Sequence, residues 1–176
     1  MHKYTTEELI SNKGDLNKLR SAPRNEVYLI LDNIRSMYNV GAIFRTADAA
    51  RIKKLYLCGI TATPPRKEIE KTALKTIDPP AGGVPWEYHD DVKQLTKELN
   101  NAGTQIVALE QTDESVDYRK FNYKKAVAII IGNEVDGISD EVLDLCDAAV
   151  EIPMQGIANS LNVATAAGII LFEVTR

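Results

Sequence analysis

Hydrophobic residues occur in short blocks from residue 26 onwards, and the spacing within each block indicates the element that it forms. Residues 27–31 and 54–58 are apolar runs of strand length. Between them, residues 39–51 carry apolar side chains at helical spacing, after a polar loop at 32–38. A strand, a helix and a second strand in this order predict a βαβ unit.

The same alternation continues towards the C-terminus. It predicts strands at residues 86–89, 104–109, 125–131 and 148–152, helices at 67–75, 92–102, 140–146 and 160–175, and a proline- and glycine-rich turn at 79–83. Strands that alternate with helices are typical of an α/β fold with a mostly parallel sheet and helices on both faces.

The first 25 residues differ from the rest because they are polar and lack a sustained apolar stripe. We interpret residues 1–25 as an N-terminal arm, in which Thr5 and Glu8 form the capping box of a short helix through Ile10. Residues 26–176 are interpreted as one domain, because a chain of 176 residues with 44% hydrophobic content can bury a single sizeable core.

Charge and cysteine content narrow the functional classes. The net charge of −4 is opposite in sign to the usual footprint of a nucleic-acid-binding protein. Basic residues nevertheless cluster at 51–54, 66–75 and 119–125, and each cluster is either a nucleic-acid contact or a solvated face. Cys58 and Cys146 lack metal-ligand spacing, so we expect reduced thiols and no metal site.

The apolar segments also bear on where the protein works. None approaches the length that crosses a membrane, and the N-terminal residues lack the apolar core of a signal peptide. These features predict a cytoplasmic protein without a membrane partner.

Residues 148–164 are the first candidate for a ligand site. The apolar strand 148–152 ends at Pro153, which cannot donate to a sheet ladder. A flexible turn follows, and Asn159 and Ser160 are predicted to form the N-cap of the closing helix. Free N–H groups at a strand end and a helix start are the usual place for a ligand in an open α/β sheet.

A second candidate lies in the helix predicted at 39–51. Asn39 is predicted as its N-cap, and Arg45 lies outside its core-facing stripe. Because Gly41 is one turn before Arg45 on the same face, we expect room for a ligand there. The alternative is a surface ion pair between Arg45 and Asp48.

The third candidate follows the apolar strand 125–131. Gly132 comes directly after the strand and Gly137 closes the turn, and glycine at such a place lets the backbone approach a ligand closely. Glu134, between the two glycines, is either an active-site carboxylate or a solvated turn residue.

Together the three segments resemble the signatures of the TrmH (SpoU) branch of the SPOUT superfamily, the S-adenosylmethionine-dependent RNA 2′-O-methyltransferases. Residues 39–47 are similar to the first signature, 131–138 to the second and 152–164 to the third. The resemblance implies the SPOUT fold, an α/β domain that ends in a C-terminal deep trefoil knot. It also implies S-adenosylmethionine as the cofactor, with cofactor-binding roles for five residues: Gly132, Ile152, Met154, Leu161 and Leu109.

The same resemblance implies which residues carry the reaction, the transfer of a methyl group from a sulfonium to a ribose 2′-oxygen. Arg45 corresponds to the catalytic arginine of the family and Asn39 to a residue that helps place the substrate. Ser160 and Asn162 correspond to polar residues of the catalytic pocket. Glu134 is expected to line that pocket and to orient groups rather than transfer a proton.

The resemblance further implies an RNA partner and a homodimer. Because the chain has only a short arm in place of the extra RNA-binding domain of several rRNA-modifying relatives, tRNA is favoured over rRNA. One alternative is a non-catalytic RNA-binding protein that retains the fold. Another is a nucleotide-binding enzyme of different chemistry, which the lack of Gly-x-x-x-x-Gly-Lys-Ser/Thr and Gly-x-Gly-x-x-Gly motifs disfavours.

Overall fold

The computed structural model describes residues 1–74, 76–77 and 83–176. The helices are α1 (Thr6–Ser11), α2 (Leu16–Ser21), α3 (Met37–Ala49), α4 (Lys67–Ala73), α5 (Val92–Asn101), α6 (Asp140–Leu143) and α7 (Val163–Val174). The strands are β1 (Asn25–Asp32), β2 (Ile52–Cys58), β3 (Trp86–His89), β4 (Gln105–Leu109), β5 (Val116–Asp117), β6 (Val127–Ile131) and β7 (Ala148–Glu151). Residues 78–82, most of the predicted turn at 79–83, lie outside the described part of the chain, as does residue 75, the predicted end of the helix at 67–75.

The strands form one seven-stranded sheet in the order β3-β2-β1-β6-β4-β7-β5, and every pair in it is parallel. The prediction of a mostly parallel α/β sheet is confirmed. β5 was not predicted, because a two-residue strand is too short to show a period in the sequence.

Helices cover both faces of this sheet. Along β1, Leu29 and Leu31 pack into the core beneath α3, α4 and α7, whereas Ile30 packs into the core beneath α5 and α6. Successive side chains of a strand point to opposite faces of the sheet. Because both faces of this sheet are covered, the sequence of β1 is a continuous apolar run. The predicted placement of helices on both faces is confirmed.

The topology decides where a ligand site can form. From β1 the chain adds strands in one direction, to β2 and β3, and then crosses to β4 on the other side of β1 and β6. In an open α/β sheet, the carboxyl ends of the strands at such a reversal leave a crevice. The segments that carry the three signatures follow β1, β6 and β7, so all three leave the same edge of the sheet.

Residues 1–25, which we predict to be an N-terminal arm, contain two short helices. The Thr5 and Glu8 capping box is present at the start of α1, as predicted, and Asp15 caps α2. The arm is held to the domain by Arg24, which donates to the carbonyls of Ile52 and Gly83, and by Arg51, which donates to two carbonyls just before Arg24.

The starts of two helices differ from prediction, and both differences matter for the site. α3 begins at Met37 with Ser36 as its N-cap, so the predicted N-cap role of Asn39 is wrong. Asn162 caps α7 by accepting from the backbone N–H groups of Ala164 at 3.0 Å and Thr165 at 3.3 Å. The predicted cap at 159–160 is therefore wrong as well. Each N-terminus offers several small polar residues, and tertiary packing selects one of them.

Neither cysteine forms a disulfide. Cys58 is buried and Cys146 is half-buried, and burial raises the pKa of both thiols to about 12, so they are protonated at neutral pH. Within the described ranges, no helix has the length and apolarity needed to span a bilayer. The same ranges contain no group of three or more His, Cys, Asp or Glu side chains placed to hold a metal ion.

Candidate cofactor cleft and catalytic residues

A cleft of about 730 Å³ lies at the carboxyl ends of β4, β6 and β7. Its volume falls within the roughly 300–1,000 Å³ that is usual for small-molecule sites. One wall is the turn at 132–138 and the other is the loop that follows β7, with the ends of β4 and β6 between them. All five residues predicted to bind the cofactor line this cleft: Leu109, Gly132, Ile152, Met154 and Leu161.

The turn wall is folded tightly back on the end of β6. A Cβ on Gly132 would lie 2.3 Å from the carbonyl carbon of Gly137 and 2.5 Å from the nitrogen of Ile138. Asn133 and Gly137 exchange backbone hydrogen bonds of 3.1 and 3.0 Å, and Gly137 has a positive φ of 68°. Only glycine fits at residue 132, because any side chain there would collide with backbone atoms.

Side chains reinforce this turn from both directions. Asn133 accepts from the backbone N–H groups of Val135 and Asp136 at 2.8 and 3.2 Å, and its amide donates to the carbonyl of Asn33 at 2.9 Å. Glu110 accepts from the N–H of Ile138 at 3.0 Å. Sequence reasoning missed Glu110, although a carboxylate directly after a buried parallel strand is a signal that could have identified it.

The loop wall has fewer hydrogen bonds than the turn wall in the described part of the chain. Residues 155–161 are exposed, and Gln111 donates from Nε2 to the backbone oxygen of Asn159 at 2.7 Å. Gln111 also lines the cleft and lies outside all three signatures. The sequence carried no pattern that marked it.

Asn39 joins the three signatures at the edge of the cleft. Its Nδ2 donates to Oε1 of Glu134 at 3.0 Å, and its Oδ1 accepts from Nδ2 of Asn162 at 3.1 Å. Because α3 starts two residues earlier than predicted, the amide of Asn39 is not used as a cap and is available for these contacts. Ser160, Asn162 and Glu134 all line the cleft.

Glu134 is fixed as an ionised acceptor. Besides Asn39, the backbone N–H groups of Arg35 and Ser36 donate to its carboxylate at 2.9 and 3.1 Å. Partial burial acts to raise the pKa of Glu134, but these hydrogen bonds outweigh it and hold the pKa below the ordinary value of 4.5. The carboxylate is therefore a weak base that orients its donors.

Arg45 is exposed and does not line the cleft. The predicted alternative, an ion pair with Asp48, is not present. Among the residues that the structure describes, no hydrogen bond or ion pair is found for Arg45, so its guanidinium is available to an external ligand.

The space predicted beside Gly41 does not exist. A Cβ there would lie 2.6 Å from the carbonyl oxygen of Ile69 and 2.9 Å from Cβ of Thr72. Gly41 permits α4 to pack closely on α3, and the expectation of a ligand at this place is wrong. The helical period predicts which residues share a face of α3, but it cannot show that α4 packs against Gly41 on that face.

Comparison with known proteins identifies the family. The sequence model of the SpoU rRNA Methylase family matches residues 26–172. A tRNA (guanosine(18)-2′-O)-methyltransferase from Aquifex aeolicus is 35% identical over 156 residues, which are 87% of this chain and 70% of that protein.

Two crystal structures share the fold. An A. aeolicus TrmH/SpoU tRNA modifying enzyme has a TM-score of 0.76 at 32% identity, over 95% of this chain and 83% of that one. An S-adenosylmethionine-bound rRNA methyltransferase from Sinorhizobium meliloti has a TM-score of 0.77 at 34% identity, over 89% of this chain but only 59% of that one. With a family match that spans all three signatures, the chain belongs to the SpoU rRNA methylase family.

Proposed function

We propose that the protein transfers a methyl group from S-adenosylmethionine to a ribose 2′-hydroxyl of RNA. The observation that carries the proposal is the hydrogen-bonded series Asn162–Asn39–Glu134, which brings the three signatures to one edge of one cleft. The relative from A. aeolicus is a tRNA 2′-O-methyltransferase, which supports this reaction, and the S. meliloti protein is an rRNA methyltransferase with S-adenosylmethionine bound, which supports the cofactor.

The cleft fits S-adenosylmethionine in charge as well as size. Among the described residues that line it, none is Lys, Arg or His, and five are carboxylates: Glu110, Glu134, Asp136, Asp140 and Glu151. A sulfonium cofactor with a net positive charge suits such a lining. ATP or NAD would bring phosphates against these carboxylates without a basic partner, which argues against a nucleotide-binding enzyme of different chemistry.

Bound S-adenosylmethionine supplies a methyl group that its sulfonium already activates, so alignment is the main task of the protein. We assign contacts with the adenosine part to the backbone around Gly132, Ile152 and Leu161, with Leu109 and Met154 completing the cleft wall.

Polar residues at the rim place the acceptor ribose. We assign this task to Asn39, Ser160 and Asn162, with Glu134 fixing the amide of Asn39. Arg45 is assigned to clamp the neighbouring phosphate and polarise the 2′-hydroxyl, because a guanidinium stays protonated in proteins and is a poor proton acceptor.

Free cations on the surface support an RNA partner despite the acidic total charge. In the cluster at 51–54, Lys53 and Lys54 pair with Glu26 and Glu87, which favours the reading of a solvated face. By contrast, Arg66, Lys67 and Lys71 on and beside α4 are exposed, and within the described ranges none has an ion pair. Since α4 packs on α3, this charge lies on the helix next to the one that carries Arg45.

We propose tRNA rather than rRNA as the substrate, in line with the tRNA methyltransferase from A. aeolicus.

We also propose a cytoplasmic homodimer, with the C-terminal chain forming a trefoil knot. Support for dimerisation comes from α7, on which Thr165, Ile169 and Phe172 form one stripe at helical spacing, with Phe172 57% exposed. Sedimentation of the wild type and of Phe172→Glu tests this, since a charge in the interface should yield monomers.

Methyl transfer from labelled S-adenosylmethionine to bulk tRNA and rRNA tests the activity. We expect labelled 2′-O-methylnucleosides from tRNA. Absence of product with either RNA, together with retained RNA binding, would favour the non-catalytic RNA-binding alternative. Calorimetry with S-adenosylhomocysteine, ATP and NAD tests the cofactor class, and binding of ATP or NAD alone would contradict the proposal.

Arg45→Lys separates the two roles of the arginine. Lysine keeps the positive charge but lacks the planar fork that holds a phosphate through two bonds, so we expect turnover to fall roughly tenfold or more. Preserved turnover in Arg45→Lys would rule out the clamp.

A further inference from the structure

In the loop after β7, residues 154–161 are held by one hydrogen bond in the described part of the chain. Nε2 of Gln111 donates this bond to the backbone oxygen of Asn159 at 2.7 Å. Across the described part of the chain, no other hydrogen bond involves residues 154–161. Packing contributes little, since Ile157 is fully exposed and its neighbours are exposed too.

Gln111 belongs to a pair of consecutive residues that hold both walls of the cleft. Glu110 accepts from the N–H of Ile138 in the turn wall, whereas Gln111 donates to Asn159 in the loop wall. Both residues directly follow β4, and the chain bends at Glu110, so the two neighbouring side chains reach opposite walls.

We propose that Gln111 is a positioning residue that sets the place of Ser160 and Leu161 in the cofactor cleft. This inference rests on the proposed function, because it concerns the same cleft. Asn159 directly precedes Ser160 and lies two residues before Leu161, so a bond to its carbonyl fixes the backbone that both residues share. Loss of that bond lets the loop move away from the cleft and weakens the binding of S-adenosylmethionine.

Gln111→Met is the sharpest test. It keeps an unbranched side chain of similar length and adds no charge to the cleft, but it removes the donor to the carbonyl of Asn159. We expect calorimetry to give a dissociation constant for S-adenosylmethionine roughly three- to tenfold higher, the range for losing one hydrogen bond between neutral groups. Without cofactor, nitrogen-15 relaxation should give lower backbone order parameters at residues 155–161, while the unfolding temperature stays unchanged.

Asn159→Ala is the matched control. Gln111 bonds to the backbone of Asn159, so removing the Asn159 side chain should leave both the order parameters and the affinity at wild-type values.

The outcomes separate the inference from the proposed function. Unchanged order parameters in Gln111→Met would overturn the inference, and so would lower order parameters with unchanged affinity. A wild-type protein that fails to bind S-adenosylmethionine would instead refute the proposed function, and the cofactor role of Gln111 with it. Lower order parameters and weaker binding together would support the inference.

Discussion

The two walls of the cleft face the same space but are built in opposite ways. In the turn wall, the backbone of residues 132–138 is held by paired backbone bonds and by the side chains of Asn133 and Glu110. In the loop wall, the bond from Gln111 is the only hydrogen bond to residues 154–161 among the residues that the structure describes. One wall is therefore a fixed surface against which a cofactor can be placed, whereas the other can adapt when ligands enter and leave.

Substitution of Gly132 by Ala should have the largest effect. Its new Cβ would lie within 2.5 Å of backbone atoms of Gly137 and Ile138, and backbone atoms cannot move aside as the end of a flexible side chain could. We expect the free energy of unfolding to fall by about 1–3 kcal/mol, as for other overpacked sites, and cofactor binding to be lost. Urea denaturation and calorimetry check this. Wild-type stability in this variant would mean that the turn wall is as adaptable as the loop wall.

Asn162 ends the loop wall and has two separable roles. Asn162→Ala removes the cap of α7 and should cost about 1 kcal/mol of stability. Asn162→Asp keeps a capping oxygen but loses the donor to Asn39, so stability should stay near wild type while methyl transfer falls. Unfolding curves and initial rates of both variants check the separation. Equal activity of Asn162→Asp and wild type would exclude a role for the contact with Asn39.

Glu134→Gln weakens the link between the turn wall and α3. One carboxylate oxygen becomes an NH₂ group, so at least one donor among Arg35, Ser36 and Asn39 loses its acceptor. Because the carboxylate is only partly buried and solvent screens it, we expect a loss of about 1 kcal/mol, below the usual range for charged hydrogen bonds.

The same carboxylate predicts a dependence on pH. A lowered pKa means that its stabilising contribution is complete above the ordinary value of 4.5 and is lost as pH falls through the lower value of the folded state. The stability difference between wild type and Glu134→Gln should therefore be constant from neutral pH to about 5 and shrink at more acidic pH. A difference that instead grew on acidification would contradict the assigned direction of the shift.

Gly156→Ala should have the smallest effect and completes the comparison. A Cβ at this place in the loop wall meets nothing within 4 Å. We expect stability to change by no more than about 0.5 kcal/mol, in the stabilising direction, since alanine restricts the unfolded chain. Thermal unfolding of Gly156→Ala and Gly132→Ala under the same conditions checks this difference in stability. A large loss at both glycines would erase the contrast between the walls.

Much of the fold could be predicted from the sequence, because the strands are buried runs bounded by turn residues. The apolar run at β6 correctly predicted a strand, and the apolar stripe of α3 correctly predicted a helix. Boundaries were less accurate, since Ser36 and Asn39 are both good caps and local sequence does not rank them. The prediction of space beside Gly41 was wrong for a different reason. The helix that fills this space, α4, is distant from Gly41 in the sequence.

The alternation of strands and helices, the parallel sheet and the three candidate segments could all be predicted from the residues alone. These features follow from periodicity and from turn chemistry, which are local properties. By contrast, the bonds of Asn39 to both Asn162 and Glu134, and the placement of Glu110 and Gln111 on opposite walls, result from the packing of distant segments. Such contacts join residues 28 to 123 positions apart, and no local pattern specifies which partners the packed sheet brings together.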